Sequence, residues 1–566
     1  MLPALGIALA TFVCFAPALR NGFVSWDDDR NFLFNTAYRG LGPANLAWMW
    51  TTFHLGHYVP LSWMTLGADY VAWGMDPAGY HLTNIVLHSA SSALVFLIAL
   101  RLYRAVGVSV GQWMPAAVAA LFFAVHPLRV ESVAWITERR DVLSELLYLA
   151  CILQYLREHD PEAKHTRRRW ILPGLFACAL LSKATVVSLP AVLLILDIYP
   201  LRRIGGALGW KGTSARAVLV EKLPFLVMAV TVGLLAVVAL PPREQLGAAS
   251  KAAAASYSLA FYLSKTALPL GLSPLYPMPR LIDPWAFRFL ASYALLAALA
   301  GLVITRWRQW PGVAACLAAF LVITLPMLGG VQNGPQIAAD RYTYHAAPAL
   351  ALLIGAGFVM LERRSRAIAR SMAVALLLAL AVLTALQVNV WHDSMAFWNF
   401  VVSREPDSAL ARNGLGLELV GAGRVREGVA EYVQALAIDP TLASAENNLG
   451  VALSSLGDAP AARAHFGKAV QLDPHYADAR VNFGSALAAG GDLQGASQEF
   501  RAALAENPRL ASAEFNWGNA LFRGGDYGGA LAHYDAALAI DSGHAGALRN
   551  REVARARLED QRSRRK

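Results

Sequence analysis

Three consecutive carboxylates close the stretch Phe23-Val24-Ser25-Trp26-Asp27-Asp28-Asp29-Arg30, just after the first apolar run of the chain. Adjacent carboxylates repel one another, so one is held protonated above its ordinary range or a cation is recruited. A base of raised pKa suits proton abstraction from an acceptor hydroxyl; the other outcome is a divalent cation, Mg or Mn, at Asp27 and Asp28. A solvated acidic turn at a membrane edge is the plain alternative. Three further polar stretches stand out. One is His126-Pro127-Leu128-Arg129-Val130-Glu131-Ser132-Val133-Ala134-Trp135, running on to Glu138-Arg139-Arg140-Asp141; the others are Ser182-Lys183 and Ala339-Asp340-Arg341-Tyr342-Thr343-Tyr344. Arg139, Arg140, Lys183 and Arg341 are cations suited to a phosphate leaving group, although each alone is also explained as an interfacial anchor. His57-Tyr58-Val59-Pro60 adds polar groups beside the first loop. His81, Asn84 and His88 fall at i, i+3 and i+7 on one helical face; no further ligands complete a metal site around them, and lining a polar substrate cavity is the reading adopted.

The elements that must carry these residues are set by composition. Apolar residues make up 56% of the 566 and charged residues 16%, and runs of about 20 apolar residues, enough to cross the hydrocarbon core, recur as far as Val390. The spacing predicts about 11 spans, near 2–19, 80–103, 112–127, 142–156, 170–182, 185–199, 223–241, 285–305, 310–328, 342–361 and 371–390. The run 2–19 lacks a basic leader and a good cleavage site, so it is expected to be retained. Segment 256–270, with Lys265, is expected to be re-entrant or interfacial.

Charge is uneven. From His392 onward there are 18 Lys/Arg against 21 Asp/Glu, a net of −3, so the first 391 residues carry +13 of the chain's +10. That excess lies in alternate loops: Arg101/Arg104; Arg157, Lys164 and Arg167-Arg168-Arg169; Arg202, Arg203, Lys211 and Lys222; Arg306/Arg308; and Arg363, Arg364, Arg366 and Arg370. The pattern reads as topology rather than as a nucleic-acid footprint, and the positive-inside rule puts these loops in the cytoplasm. The polar stretches above then face outward, as does everything after Trp391. Cys14, Cys151, Cys178 and Cys316 all fall in apolar runs without metal-type spacing, so no disulfide framework is expected.

From Asp407 the chain matches itself every 34 residues. Asp439-Pro440, Asp473-Pro474, Asn507-Pro508 and Asp541-Ser542 are in register, as are Leu415-Gly416, Leu449-Gly450, Phe483-Gly484 and Trp517-Gly518. This is the helix–turn–helix tetratricopeptide pattern. It predicts four repeats over 407–542 after a connector at 392–406, with a capping helix and basic tail at 543–566. Asn448, Asn482 and Asn516 share one register, and such amides can bond both polar groups of a passing peptide backbone, or simply belong to the generic repeat.

Taken in order, Phe23-Val24 with Asp27-Asp28, Tyr58-Val59-Pro60-Leu61, Gly79-Tyr80-His81-Leu82-Thr83-Asn84 with Leu87-His88, His126-Pro127 with Glu131-Ser132-Val133-Ala134 and Arg139-Arg140-Asp141, Ser182-Lys183, and Asp340-Arg341-Tyr342-Thr343-Tyr344 resemble the transmembrane and tetratricopeptide-repeat O-mannosyltransferases. The resemblance covers nearly the whole chain. It implies an all-α protein, a polytopic C-type glycosyltransferase bundle followed by a tetratricopeptide α-solenoid, that takes sugar from a polyprenyl-phosphate carrier. Asp27 and Asp28 match the acidic pair at the catalytic centre, with Asp29 leaving the identity of the base open. Glu138-Arg139-Arg140-Asp141 stands where relatives often have Gly-Arg-Ala-Asp, which makes Arg139 and Asp141 the residues carried over.

The expected function is inverting transfer of mannose or another hexose from a polyprenyl-phosphate donor to a protein or glycan hydroxyl at the extracytoplasmic face. Arg139, Lys183 and Arg341 would hold the donor phosphate. His57, Tyr58, His81, Asn84, His88, His126, Glu131, Asp141 and Tyr344 would line the cavity, and the repeats would bind acceptor or partner. The composition looks bacterial, which implies an inner-membrane enzyme with its repeats in the periplasm; in a eukaryote these would be the endoplasmic reticulum membrane and lumen. Two alternatives remain, a ligase or polymerase using diphosphate-linked oligosaccharide and a non-catalytic membrane-anchored repeat scaffold.

Overall fold

The computed structural model describes residues 2–108, 113–160, 170–205, 209–210, 212–239, 246–329 and 335–564. The loop cations Lys164, Arg167, Arg168, Arg169 and Lys211, and the terminal Arg565 and Lys566, lie outside the described residues. The protein is all-α, with one short antiparallel pair among the described residues, Tyr276–Pro277 with Gln336–Ala338. It divides into two compact units, Met1–Phe400 and Val401–Lys566.

In the first unit, five helices among the described residues are long and apolar enough to cross a membrane: Leu2–Arg20, Pro77–Ala105, Ala215–Ala239, Phe287–Arg306 and Arg366–Trp391. Trp113–Ala124 and Pro127–Ala134 form a pair bent by 53°. The bend has a local cause, because Pro127 cannot continue the preceding helix and the His126 ring accepts from Leu128 N at 3.3 Å to start a new turn. Ile171–Ser182, Ala184–Ile198 and Pro311–Met327 are apolar but shorter. Arg139–Glu158 has the length, but Arg139, Arg140, Asp141, Glu145, Arg157 and Glu158 make it too polar to pass as a span on composition. Ala248–Ala267 is a continuous helix covering most of the segment expected to be re-entrant. These helices and the relatives described below make the chain a multi-pass membrane protein.

Two cations expected only to mark topology are built into the bundle. Arg203 meets Asp197 at 2.8 Å and Glu221 at 2.7 Å, Lys222 meets Asp197 at 2.8 Å, and Tyr155 donates to Asp197 at 2.6 Å. This closed network ties Arg139–Glu158 to Leu189–Ile198 and Thr213–Ala239, at the opposite end of Arg139–Glu158 from the acidic and basic residues considered below.

In the second unit the 34-residue register becomes four helix pairs: Ala409–Gly421 with Val425–Ile438, Ala443–Ser455 with Ala459–Leu472, Ala477–Ala489 with Leu493–Glu506, and Ala511–Arg523 with Tyr527–Ile540. Ala545–Ser563 follows. The aspartates and asparagine of the register end each pair with a side-chain-closed turn, Asp439 accepting from Thr441 N, Asp473 from His475 N, Asn507 from Arg509 N and Asp541 from Gly543 N, at 2.9–3.1 Å. Within each pair the chain turns on Gly423, Gly457, Gly491 or Gly525, all at φ between +79° and +90°, where a side chain would be strained. One position alternates along the array. Arg412 and Arg480 bind Glu431 and Glu499 at 3.0 and 2.5 Å, whereas Glu446 and Glu514 take up the same register against His465 and His533, both at 2.6 Å.

Candidate functional site

The segment after the first span turns sharply at Asp27, whose φ of +84° is left-handed. For a residue with a Cβ that conformation costs about 1–2 kcal/mol, and it persists only where the surroundings over-determine it. Asp28 supplies part of that constraint. Its Oδ2 accepts from Val24 N at 3.0 Å, and its Oδ1 accepts from Thr137 N at 3.1 Å and Thr137 Oγ1 at 2.6 Å. Asn31 Nδ2 donates to the same Thr137 Oγ1 at 2.9 Å. Asp28 is 1% exposed, and burial pushes its carboxyl up to about 7 despite the three donors.

Asp27 differs. The residue is exposed and its carboxylate makes no hydrogen bond among the described residues, yet enough protein surrounds it that desolvation raises its pKa, while Arg140 and Arg341 act to lower it and Asp29 to raise it. One aspartate therefore holds the loop, and its neighbour's carboxylate, without a hydrogen bond among the described residues, lies within electrostatic reach of two guanidinium groups. Both Asp28 oxygens accept hydrogen bonds, and the described residues hold no group of three or more His, Cys, Asp or Glu arranged for a metal.

The cations gather around Glu138. Arg140 binds it through Nη2 at 2.8 Å and Nε at 3.2 Å, Lys183 Nζ lies 2.9 Å from it, and Arg341 Nε 3.4 Å. Burial works to raise the Glu138 carboxyl, but Arg140, Lys183 and Arg341 together hold it well below the usual carboxylate range. Lys183 also binds Asp141 at 2.5 Å, and Asp141 accepts from Ser132 Oγ at 3.1 Å. Arg341 is fixed by Glu131, which accepts from its backbone N at 2.8 Å and pairs with its guanidinium, and it lies over the rings of Trp135 and Tyr342. Arg140, Lys183 and Arg341 keep 14%, 11% and 11% of their side chains exposed, enough to meet a ligand.

Arg139 is not among them. Its side chain is wholly buried and committed to Asp69 at 2.7 Å, Asn84 Oδ1 at 2.5 Å and the Tyr80 carbonyl at 2.9 Å. At the start of a helix, adjacent residues point about 100° apart, so the face turned to Asp27 belongs to Arg140.

His57 is at the edge of the group. Its surface is exposed, yet enough protein surrounds the ring that desolvation, joined by the charges of Arg140, Lys183 and Arg341, lowers its pKa to about 3. Tyr58 turns into its own loop, donating to the Trp50 carbonyl at 3.1 Å.

Most of the expected cavity residues are packed inside the bundle. His81 is buried below the Asn21–Gly22 backbone. Asn84 Nδ2 reaches the Val133 carbonyl at 3.2 Å. His88 is clamped between Tyr344 OH at 2.7 Å and the Ala124 carbonyl at 3.0 Å, and His126 reaches the Thr266 carbonyl at 3.1 Å. His81, Asn84, His88, His126 and Tyr344 are all buried; buried polar groups usually find partners, and neighbouring segments supply them for Asn84, His88, His126 and Tyr344, whereas neither His81 ring nitrogen has one among the described residues. Thr137 and Asp69 went unread in the sequence, since no local pattern marks a partner 109 residues away, as Asp28 is from Thr137, or 70 away, as Arg139 is from Asp69.

In the repeats, Asn448 Nδ2 donates to Asn413 Oδ1 at 3.0 Å and Asn482 Nδ2 to Asn447 Oδ1 at 2.8 Å. Asn516 makes no side-chain hydrogen bond among the described residues. Asn550, at the same register in the capping helix, donates to Asn519 at 2.8 Å. The amides are half-buried, and those of Asn448, Asn482 and Asn550 are linked to the preceding repeat.

Two tetratricopeptide repeat family models match residues 413–477 and 453–514. Protein O-mannosyl-transferase Tmtc1 of Drosophila melanogaster is 35% identical over 195 residues, 32% of this chain and 21% of the relative. Protein O-mannosyl-transferase TMTC4 of Homo sapiens is 33% identical over 216 residues, 34% of this chain and 29% of the relative. The chain thus spans between a fifth and a third of the length of these curated relatives. Among solved structures, YrrB, described as a TPR protein with an unusual peptide-binding site, shares 26% identity over 28% of this chain and 82% of its own, with a TM-score of 0.25. MamA shares 21% over 26% of this chain and 81% of its own, with a TM-score of 0.24. The resemblance carried by the motifs is thus matched by homologues that are themselves protein O-mannosyl-transferases.

Proposed function

We propose that the chain is an integral membrane glycosyltransferase that moves mannose, or another hexose, from a polyprenyl-phosphate carrier to a hydroxyl of a protein or glycan at the extracytoplasmic face. In a bacterium this is the periplasmic side of the inner membrane. Asp27 is the base. The observation that carries this is its exposed carboxylate, free of hydrogen bonds among the described residues and within electrostatic reach of Arg140 and Arg341.

Asp27 takes the proton of the acceptor hydroxyl as its oxygen attacks the anomeric carbon, and the carbon–oxygen bond to the carrier phosphate breaks. One base and one good leaving group make this a single displacement with inversion. Arg140, Lys183 and Arg341 stabilise the departing phosphate as its charge develops. Glu138 keeps these three cations together, and the phosphate competes with it for them. The repeats bind the acceptor or a partner protein, bringing it to the reaction at high local concentration. The relatives' own names support mannose and a protein acceptor.

The test is transfer of radiolabelled mannose from undecaprenyl-phosphate mannose to a serine/threonine-rich peptide, by the full chain reconstituted in nanodiscs. Transfer by the natural protein and its loss in Asp27→Asn are expected. Equal transfer by Asp27→Asn would overturn the base assignment, and no transfer from any polyprenyl-phosphate sugar by a well-folded protein would favour the scaffold.

A further inference from the structure

The turn that carries Asp27 is braced by a part of the chain more than 360 residues away. Gly22 N donates to the His392 carbonyl at 2.7 Å. Ser25 N donates to Ser394 Oγ at 2.9 Å, and Trp398 Nε1 donates to Ser25 Oγ at 3.1 Å. The Trp26 ring meets Trp398 edge-on at 5.5 Å and Phe397 at 6.2 Å. Ser394 and Trp398 are four residues apart on the helix Ser394–Arg404, so they share the face laid on this turn. Phe397 and Trp398 are 0% and 3% exposed, so the packing is complete.

The same segment also reaches the second half of the site. Trp391 stacks on Trp135 at 5.5 Å with the rings 25° from parallel, and Trp135 precedes by two residues the Thr137 that holds Asp28. Residues 391–398 therefore grip both chain segments that define the aspartate pair, one through Ser25 and Trp26 and the other through Trp135.

We propose that Ser394 and Trp398 are positioning residues for the base: acting through Ser25 and Trp26, they hold the Asp27 turn in its left-handed conformation and fix where its carboxylate points. This rests on the transferase reading for its effect on rate, but not for its effect on the loop. Asp28 and Thr137 constrain the far side of the turn, while among the described residues nothing hydrogen-bonds the Asp27 carboxylate itself. Its direction is therefore set by the backbone, and the backbone at 25–26 is set by Ser394 and Trp398. A misplacement of about 1 Å in a reacting group can cost on the order of a hundredfold in rate, so a brace on this turn acts on catalysis without touching substrate.

The experiment compares natural protein, Trp398→Ala, Trp398→Phe and Ser394→Ala, each as the full chain in nanodiscs. Transfer of mannose from undecaprenyl-phosphate mannose to a serine/threonine-rich peptide is measured together with amide hydrogen exchange. Trp398→Ala is expected to lower kcat about tenfold or more while the donor KM stays within about twofold, and exchange is expected to rise at residues 22–31 while that of 443–540 is unchanged. Trp398→Phe keeps a ring against Trp26 and should recover part of the loss. Ser394→Ala removes a single hydroxyl, carries the same expectation in milder form, and answers the question if Trp398→Ala does not fold. Unchanged exchange at 22–31 in both Trp398→Ala and Ser394→Ala would overturn the proposal, as would a rise in donor KM with kcat unchanged. If the natural protein transfers no sugar, the transferase reading fails, and the exchange measurement still decides whether these residues position the turn.

Discussion

Thr137 Oγ1 donates a 2.6 Å hydrogen bond to Asp28 Oδ1 across 109 residues of sequence, and that bond separates the roles of two adjacent aspartates. Asp28 is spent on structure, which makes it visible in a stability measurement. Its carboxyl titrates near 7 when folded and near 3.8 when free. Between those values the folded state binds more protons than the unfolded state, so stability is greatest at the acid end, falls as pH rises from about 4 to about 7, and then levels. The slope approaches about 1.4 kcal/mol per pH unit at most. Asp28→Asn should remove this slope. Thr137→Val, which deletes a bond favouring the charged form, should extend it to higher pH. Thermal midpoints of the three proteins in detergent, taken from about pH 5 to about pH 8, check both.

Asp27 should appear in rate and hardly in stability. Asp27→Asn is expected to lower kcat by about 10²–10⁴-fold, the range typical of a lost general base. Because desolvation by the surrounding protein holds the Asp27 pKa above its ordinary value and Arg140 is the strongest force lowering it, removing that cation must raise it further. Arg140→Gln should therefore move the acid limb of the kcat/KM profile to higher pH. A limb that stays in place, or moves down, would show that Asp27 is not the group titrating there.

What the sequence told and what it withheld divide along the range of the interactions involved. The 34-residue register is repeated locally, so the helix–turn–helix unit was legible from it, and in the structure the aromatic side chains of Tyr432, Phe466, Phe500 and Tyr534 stand against the registered Gly416, Gly450, Gly484 and Gly518. His81, Asn84 and His88 were rightly placed on one face of one helix, but periodicity does not say whether a face borders a cavity or a neighbouring helix. Here Tyr344 and the Ala124 and Val133 carbonyls fill it. Which of Arg139 and Arg140 faces Asp27 depends on the phase of a helix at its first residue, and which of Asp27 and Asp28 is free depends on Thr137. Neither is written in the surrounding residues.

Arg341 is tied to a carboxylate that needs it. Glu131 is 3% exposed, and removing one partner of a buried pair leaves the other charge uncompensated, a loss of about 3–5 kcal/mol. Arg341→Met should thus depress both donor use and thermal stability. Replacing both partners, Glu131→Met with Arg341→Met, should recover much of the stability while transfer from undecaprenyl-phosphate mannose stays low. Recovery of transfer in the double variant would show that Arg341 serves only the fold.

The repeats should respond to crowding one unit at a time. A Cβ on Gly450 would lie 2.7 Å from two ring carbons of Phe466 and 3.1 Å from the Ala462 carbonyl oxygen. The ring is held in the seam and the carbonyl belongs to the facing helix, so neither can retreat cheaply, and overpacking of this kind costs about 1–3 kcal/mol. In a solenoid each repeat contacts only its neighbours, so the damage from Gly450→Ala should be confined. Amide hydrogen exchange in the full chain is expected to rise most across 443–472, less in the flanking repeats, and not at all in helices such as Pro77–Ala105. Phe466→Leu added to Gly450→Ala removes the ring atoms that the new methyl meets, and should lower exchange in 443–472 relative to Gly450→Ala alone. An effect spread evenly over all four repeats would instead mean that the array unfolds as a single cooperative block.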